Sequence, residues 1–490
     1  MTVNGGDAGK ERGTHRWLRS VRVALVPGPM DALLEQTVHG VLEVLRQSGH
    51  AVVPLPDHDT DAIITTARFG QPVGWRDSLL LTARKKYGLA HNPVVFTYVR
   101  ISEDDFQRQL KRFERFIQDE DPDPAQHQFP GLAPEAYRVL HEQGRRGGPL
   151  LALERVIQAQ AKSLQIVLIV GEREPKEAYH FNLVGAYPRS KADDPALFHQ
   201  DIALRMVTVL STIEANRHQV VGEAIPREVW EGLDTPPAMM RASQELGKRA
   251  FFTEMVRIAD LVRVPVVGDA IASQYSEGCF ATYDPALQAL IATVTGSARP
   301  VDKGKIGEDD LAVIVGVKPE RDGVLVRHVE GKRNDPPSSE AMEMMEMDEA
   351  LPWIELGKGM QVPIARSKLH GHRGVARFDP RYVEFVPLDP PFYDYLVTCG
   401  TTAQAMAIKQ AFARSEALRD PDDARQVVFT VLPGHGAVLV EKWVEGKAPF
   451  EVMLDYMDAG YIEIESRVPQ GRMAYVPAPD GTMVLEQDNE

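Results

Sequence analysis

The first hundred residues alternate short β-branched runs with stretches that carry apolar residues at helical spacing. VRVALV at 21–26 is followed by the turn residues PGP and then by MDALLEQTVHGVLEVLRQSG, with Gly49 at the position of a C-terminal helix cap. AIITTA at 62–67 and VVFTYV at 94–99 predict two further buried strands, and DDFQRQLKRFERFI predicts an amphipathic helix after the second. Strands that alternate with helices in this way predict a parallel sheet covered on both faces.

A stretch rich in proline and acidic residues, DEDPDPAQHQFPG at 119–131, interrupts this pattern before the alternation resumes. QIVLIVG and RVPVVGD then predict strands, while FHQDIALRMVTVLSTIEAN and MMRASQELGKRAFFTEMVRIADLV predict buried helices. Later segments such as QVVFTVLPG and GAVLVEKWV are mostly strand-like, with one clear helix, TAQAMAIKQAFARSEAL. The predicted fold class is α/β, with a disordered tail at 1–19, two parallel-sheet α/β domains at 20–165 and 166–349, and a β-rich C-terminal domain at 350–490.

The composition favours a globular protein of the cytoplasm. Hydrophobic residues make up 43% and charged residues 26% of the chain, and its two cysteines, Cys279 and Cys399, fit a reducing compartment. The polar N-terminus lacks the apolar core of a secretory signal, and no apolar run approaches the ~20 residues that span a bilayer, so no membrane partner is predicted. A net charge of −15 argues against nucleic acid as a partner, because that affinity rests mostly on basic residues.

Two glycine-containing segments are poor phosphate loops. GGDAGKE near the N-terminus has neither the spacing nor the final Ser or Thr of a P-loop. VALVPGPMD follows a strand but lacks the glycines of a dinucleotide fingerprint, and its two prolines replace backbone donors that a pyrophosphate needs. A nucleotide cofactor is therefore not expected.

The segment SQYSEGCFATYDPALQALIATVTGSARPVDKGKI carries the strongest local signals. Asp284 as N-cap, Pro285 at the first helical position and Gly296 after the last predict a helix. Glu277 and Asp302 lie in loops on either side of it, and they can meet if the chain after Gly296 runs back along the helix. These two carboxylates are candidates for chemistry, with a solvated loop carboxylate as the alternative for Glu277.

Three histidines are further candidates. His370 and His372 are two residues apart, so on a strand they would project to one face, as metal ligands or as hydrogen-bonded loop histidines. His435 lies in LPGHGAVLVEKW, where the flanking glycines predict a tight turn that exposes the imidazole.

Basic residues cluster in glycine-bearing loops of this otherwise acidic chain, among them Lys303, Lys332 and Arg333. They could receive a carboxylate or phosphate of a substrate, or they could be scattered surface charge. The methionines of SEAMEMMEM are predicted to fill a core rather than to bind a ligand.

The layout and the block around Asp284 resemble the L-fucose isomerase and arabinose isomerase superfamily. Members have two α/β domains, a β-rich C-terminal domain, and a Glu-bearing loop before a helix that ends near Thr-Gly. The corresponding features in this chain are Glu277, Thr295-Gly296, Pro300-Val301, Asp302 and, near the C-terminus, His435. An alignment on Thr-Gly places Cys279 at the position of the family's Glu and Lys303 close to its Asp.

The resemblance implies a metal-dependent aldose–ketose isomerase. Mn²⁺ or another divalent ion, held by Glu277, Asp302 and His435, would bind the carbonyl and hydroxyl oxygens of an open-chain sugar and stabilise an enediolate. One of the two carboxylates would move the proton between C1 and C2.

The resemblance also implies a small carbohydrate as the partner and a homo-oligomer, trimer or hexamer, as the assembly. The basic loops would favour a sugar acid or a sugar phosphate over a neutral sugar. The substrate-binding candidates are Lys303, Lys332, Arg333, His370 and His372.

Two other functions remain open from the sequence. A metal-dependent hydrolase or lyase could use His370, His372 and His435, with Glu441 or Glu330, around zinc. A non-catalytic sugar-binding protein of the same fold would bind its ligand without turnover and without a metal.

Overall fold

The computed structural model describes most of the chain. The predicted strand at 263–269, Glu277 and Cys399 lie outside the described residues. The described ranges are 20–90, 93–120, 122–132, 136–182, 189–215, 218–249, 251–252, 278–295, 301–319, 321, 323–357, 359–389, 402–432, 435–465 and 474–486.

A seven-stranded sheet forms the N-terminal part of the molecule. Its strand order is β2-β1-β3-β4-β5-β6-β7. The strands are β1 Arg22–Leu25, β2 Ala51–Val53, β3 Ala62–Arg68, β4 Val94–Ile101, β5 Gln165–Gly171, β6 Pro175–Phe181 and β7 Ser190–Lys191. The first five run parallel, and β6 and β7 add antiparallel strands at one edge. The predicted parallel sheet is thereby confirmed, and it includes β5, which straddles the boundary predicted after residue 165.

Within the described ranges, five helices cover this sheet. They are α1 Ala32–Gln47, α2 Leu79–Tyr87, α3 Glu103–Gln118, α4 Ala136–Ala161 and α5 Pro195–Ala215. Apolar residues of α1 and α5 pack with Ile64 and Ile169 on one face, whereas those of α3 and α4 pack with Val99 and Leu168 on the other. Because successive residues of a strand point to opposite faces, a strand buried on both sides is apolar throughout, as the sequence of β5 is.

A nine-stranded sheet forms the larger part of the rest. Its order is β17-β18-β19-β15-β9-β10-β11-β12-β8, and its neighbours are antiparallel except for the pairs β8–β12 and β17–β18. The strands that the structure describes after β7, in this sheet and in two smaller ones, are β8 Gln219–Val220, β9 Cys279–Asp284, β10 Ala289–Thr293, β11 Leu311–Val317, β12 Val324–Arg327, β13 Trp353–Glu355, β14 Gln361–Pro363, β15 Ala365–Gly371, β16 Val375–Phe378, β17 Val383–Phe385, β18 Val427–Leu432, β19 Gly436–Lys442, β20 Ile462–Ile464, β21 Tyr475–Pro477 and β22 Met483–Leu485. The β-rich C-terminal region is confirmed, and strands from both sides of residue 350 share this one sheet.

Helices lie on both faces of the second sheet as well. They are α6 Arg227–Glu231, α7 Thr235–Lys248, α8 Ala341–Glu346, α9 Thr402–Ala413, α10 Glu416–Arg419 and α11 Glu451–Asp458. Residues of α7 and α11 join the core on one face, and residues of α8 and α9 join the core on the other, where Met342 and Met344 are buried as predicted. Among the helices of the described ranges, none is long and apolar enough to cross a membrane.

The helix predicted from Asp284 to Thr295 is wrong. The segment is a β-hairpin, in which β9 ends at Asp284 and β10 begins at Ala289. Oδ1 of Asp284 accepts a hydrogen bond from the backbone N–H of Leu287 at 2.9 Å, the same contact that an N-cap makes, but here it closes a turn. Every residue of β10 is buried, and a short apolar run of this kind fits a buried strand and a buried helix equally well.

Candidate metal centre

Three histidines and one glutamate lie close together in the interior of the part of the molecule that contains the nine-stranded sheet. Glu340, His370, His372 and His435 are all buried, and one ligand atom from each lies within 4.8 Å of the others. The ring centroids of His370 and His435 are 4.6 Å apart, and those of His372 and His435 are 4.9 Å apart. Across the described ranges, this is the group of carboxylate, thiol and imidazole side chains that can hold a metal ion.

The pleat of β15 aims His370 at the α8 side of the sheet. His370 lies directly opposite Cys279 of β9 and Val438 of β19, and both of these belong to the core that α8 and α9 cover. Nδ1 of His370 lies 3.1 Å from the carbonyl oxygen of Ala437 and so carries the proton that it donates there. Nε2 of His370 is the ring nitrogen that faces the other members of the cluster, and it lies 3.1 Å from Oε1 of Glu340.

His435 enters the cluster from the turn between β18 and β19. The turn was predicted, but the exposure was not correct, because the His435 side chain is 0% exposed. Nε2 of His435 lies 3.2 Å from the same Glu340 oxygen. Neither ring nitrogen of His435 has a hydrogen bond of acceptable geometry within the described part of the chain. Buried polar atoms normally have a hydrogen-bond partner. The ring nitrogens of His435 are therefore available to bind a ligand such as a metal ion.

Gly436 allows β15 and β19 to approach each other beside the cluster. Its φ is +154°, and a side chain there would overlap the carbonyl oxygen of Gly371 and come within 2.7 Å of Cα of His372. We expect Gly436→Ala to destabilise the fold by more than about 1 kcal/mol and to weaken metal binding, because the ends of β15 and β19, next to His372 and His435, must separate. Urea denaturation and metal titration would measure both effects.

A matched control for Gly436→Ala is Gly460→Ala. Gly460 has a φ of +72°, but among the described residues no atom beyond its chain neighbours lies within 4 Å of the place that a Cβ would take. Its replacement therefore costs backbone strain alone. Equal losses in the two variants would contradict the steric role assigned to Gly436.

The charges within the cluster suit metal binding. Burial opposes ionisation of Glu340, but the neighbouring His370 and His435 outweigh it and hold the pKa of Glu340 well below its usual range. Burial, together with the other two imidazoles, holds the pKa of His372 well below its usual value, and burial also lowers the pKa of His435. The ionised carboxylate of Glu340 and the neutral imidazoles of His372 and His435 are the forms that bind metal ions.

A second buried carboxyl group lies one helical turn from Glu340. Glu343 is 1% exposed, and its Oε2 accepts a hydrogen bond from Nε2 of Gln404 at 2.6 Å. Burial, and then the charge of Glu340, raise the pKa of Glu343 well above its usual value. Burial therefore favours the protonated form of Glu343, and a carboxyl group of this kind can act as a proton donor.

The donor set fits a first-row transition metal. Three imidazole nitrogens and one carboxylate oxygen suit Zn²⁺, Fe²⁺ and related ions, whereas Mg²⁺ and Ca²⁺ favour all-oxygen sites. The hydrogen bond from Nδ1 of His370 to a backbone carbonyl is the outer contact that typically orients a metal-binding histidine. The residues present therefore fit a divalent metal ion.

The other sequence candidates lie elsewhere. Asp302 is exposed, and its Oδ1 accepts a hydrogen bond from the backbone N–H of Gly304 at 2.9 Å. Lys303 is buried and donates to the carbonyl oxygen of Val294 at 2.6 Å. Of the metal ligands predicted from the resemblance, His435 is in the cluster, Asp302 is not a member, and Glu277 lies outside the described residues.

Lys332 and Arg333 belong to a loop that packs against neighbouring backbone. Nζ of Lys332 donates to the carbonyl oxygen of Leu311, and burial lowers the pKa of Lys332 to about 8. Arg333 is exposed and pairs with Asp335 at 3.0 Å. Neither side chain belongs to the cluster, and their substrate-binding role stays a prediction.

The carboxylate of the cluster was missed from sequence. Glu441 and Glu330 were the acidic partners considered for the histidines, but Glu330 is exposed and Glu441 accepts hydrogen bonds from Ser367 and from backbone N–H groups at the start of α11. The sequence feature that could have identified Glu340 is its position at the start of a helix whose methionines are predicted to be buried. An acidic residue in such a helix must find a partner in the core.

Comparisons with protein-family models, curated proteins and solved structures gave no match for this chain. The chemistry of the site therefore rests on its own residues, and on their burial, distances and charges.

Proposed function

We propose that this protein is a metal-dependent enzyme with one divalent transition-metal ion held by Glu340, His370, His372 and His435. The observation that carries the proposal is the convergence of four ligand atoms within 4.8 Å in a buried site. Buried imidazoles and a carboxylate are costly unless they are paired or bind a metal. When bound, such an ion supplies Lewis acidity toward a substrate oxygen.

The residues around the proposed ion have distinct tasks. His370 and His435 offer Nε2, and the contact of Nδ1 of His370 with Ala437 fixes the orientation of the first ring. Glu340 contributes negative charge, which lowers the net charge of the loaded site. Glu343, one helical turn from Glu340, is a buried carboxyl group that can transfer a proton to a reacting group.

Metal analysis of the purified full-length protein is the first test. We expect about one equivalent of Zn²⁺, Fe²⁺ or Mn²⁺ per chain, which a chelator removes and added metal restores. A visible absorption spectrum of the Co²⁺-loaded protein would report the imidazole-rich coordination. Failure to retain or rebind any transition metal would disprove the proposed centre.

Sugar isomerisation is the first reaction that we propose for this centre. It is supported by the resemblance and by the presence of His435 in the cluster, with a small carbohydrate as the substrate and the cytoplasm as the location. In D₂O, a productive aldose should gain deuterium at C2 when the metal-loaded protein is added, because the proton that is moved exchanges with solvent. The chelator-treated protein is the control, and the absence of both exchange and ketose formation across a panel of sugars, sugar acids and sugar phosphates would exclude isomerisation.

A metal-dependent hydrolase or lyase is the second candidate. The specific observation in its favour is that all three histidines considered for it, His370, His372 and His435, belong to the cluster. Imidazole-rich sites are typical of Zn²⁺ and Fe²⁺, whereas Mn²⁺ favours oxygen ligands. Preferential retention of Zn²⁺, with turnover of an ester or phosphoester but no deuterium incorporation into sugars, would select this candidate.

A further inference from the structure

The first sheet contains a cavity that is separate from the metal centre in sequence and in fold. It has a volume of about 260 Å³ and is lined by residues that follow β1 and by the ends of β3 and β4. These are the carboxyl ends of neighbouring parallel strands. In open parallel sheets, ligands bind outside this edge of the sheet.

The strand order explains why a crevice opens there. The chain runs from β1 to its neighbour β2 on one side and then to β3 on the other side. α1, which follows β1, packs with Ile64 on one face of the sheet, whereas α2, which follows β3, packs with Ile63 on the opposite face. The two connections diverge from adjacent strand ends, and the space between them is the cavity.

One wall of the cavity contains Arg100, whose side chain is held by several contacts. The guanidinium of Arg100 donates to the carbonyl oxygens of Gly171 and Glu172 at 2.9 and 2.6 Å, and it lies 3.2 Å from Oδ2 of Asp31. These contacts hold Arg100 in place at the strand ends. Arg100 pairs with Asp31 at 3.2 Å and with the carboxylate of Glu172 at 3.8 Å, and Asp105 pairs with Arg108.

Arg68 is the second arginine in the lining of the cavity. It is the last residue of β3, lines the cavity and is exposed. Within the residues that the structure describes, no hydrogen bond or ion pair engages its guanidinium. A planar guanidinium with its donors free is well suited to a phosphate or carboxylate.

The loop after β1 narrows the class of ligand. Pro27 and Pro29 have no N–H, and the N–H of Gly28 already donates to Oγ1 of Thr66 at 2.9 Å. This loop therefore lacks the row of backbone donors that cradles a pyrophosphate. Met30 and Phe69 add apolar surface to the lining.

We propose that this cavity binds a small organic anion, with one phosphate or carboxylate group held by Arg68 and an apolar body packed near Met30 and Phe69. The site needs neither the metal ion nor the chemistry proposed for it.

The test is a calorimetric titration of the full-length protein at low ionic strength with phenyl phosphate, benzoate and the neutral benzyl alcohol. Because oxyanions also bind metal ions, each titration is repeated after chelator treatment. We expect at least one anion to bind more tightly than the alcohol, and Arg68→Gln to weaken that binding roughly tenfold or more. Which of the two anions binds identifies the preferred group.

Arg84→Gln is the matched control, since Arg84 is an exposed arginine of α2 that does not line the cavity. It should bind both anions as the unmodified protein does. The proposal is overturned if neither anion binds more tightly than benzyl alcohol, or if Arg68→Gln retains full affinity.

Discussion

His435→Ala should leave the purified protein with little or no bound transition metal. The imidazole of His435 lies within 5 Å of both other rings of the cluster, so its removal takes away a ligand that faces all the others. Loss of an outer contact to a metal ligand typically lowers metal affinity by roughly 10–100-fold, and loss of a ligand should cost more than that. Elemental analysis after dialysis, and competition with a chelator of known affinity, would measure the change.

Two further variants make this result specific. Glu340→Gln keeps the shape of the side chain but removes its charge, and it should also lower metal affinity. His328→Ala removes a histidine of the same region that is not part of the cluster, and it should retain the metal. Near-normal metal content in His435→Ala and Glu340→Gln, with both variants folded by circular dichroism, would show that the cluster is not the metal site.

Asp348→Asn should lower the urea midpoint of unfolding strongly. Lys368 and Asp348 form a buried ion pair on the same side of β15 as His370, with side chains 0% and 5% exposed. Burial raises the pKa of Asp348 to about 6 and lowers the pKa of Lys368. Removal of one partner leaves the other charge buried without its counter-ion, and such changes cost about 3–5 kcal/mol.

The double variant Lys368→Met with Asp348→Leu distinguishes the contribution of the two charges to stability from that of side-chain packing. Apolar residues of similar size need no partner, so replacing both members of a buried pair is often neutral or stabilising. The double variant should therefore be clearly more stable than Asp348→Asn. If both variants lose the same stability, the pair contributes through its shape and not through its charges.

Some of the architecture was predictable because its signals are local. The helix at Ala32–Gln47 begins with the cap contact between Asp31 and Leu34 and ends before Gly49, which has a positive φ. Strands β3 to β5 are apolar along most of their length, as strands covered on both faces must be. From β3 to β7 consecutive strands are neighbours in the sheet, so the chain order carried that part of the topology, whereas β3 pairs with β1 and not with β2.

The hairpin at Cys279–Thr293 shows where local signals fail. The hydrogen bond from the N–H of Leu287 to the side chain of Asp284 can begin a helix or close a turn. The buried apolar run that follows fits a helix and a strand equally well. The choice depends on pairing with β15 and β11, which come later in the chain.

The metal centre also depends partly on local sequence signals and partly on long-range packing. The spacing of His370 and His372, and the turn that holds His435, are local properties, and the sequence alone marked all three histidines as candidates. Glu340 joins them only because β15 pairs with β19 in one register and α8 docks over that face of the sheet. A register shift by one residue would turn His370 to the opposite face, so the cluster exists through long-range packing that no local pattern of residues encodes.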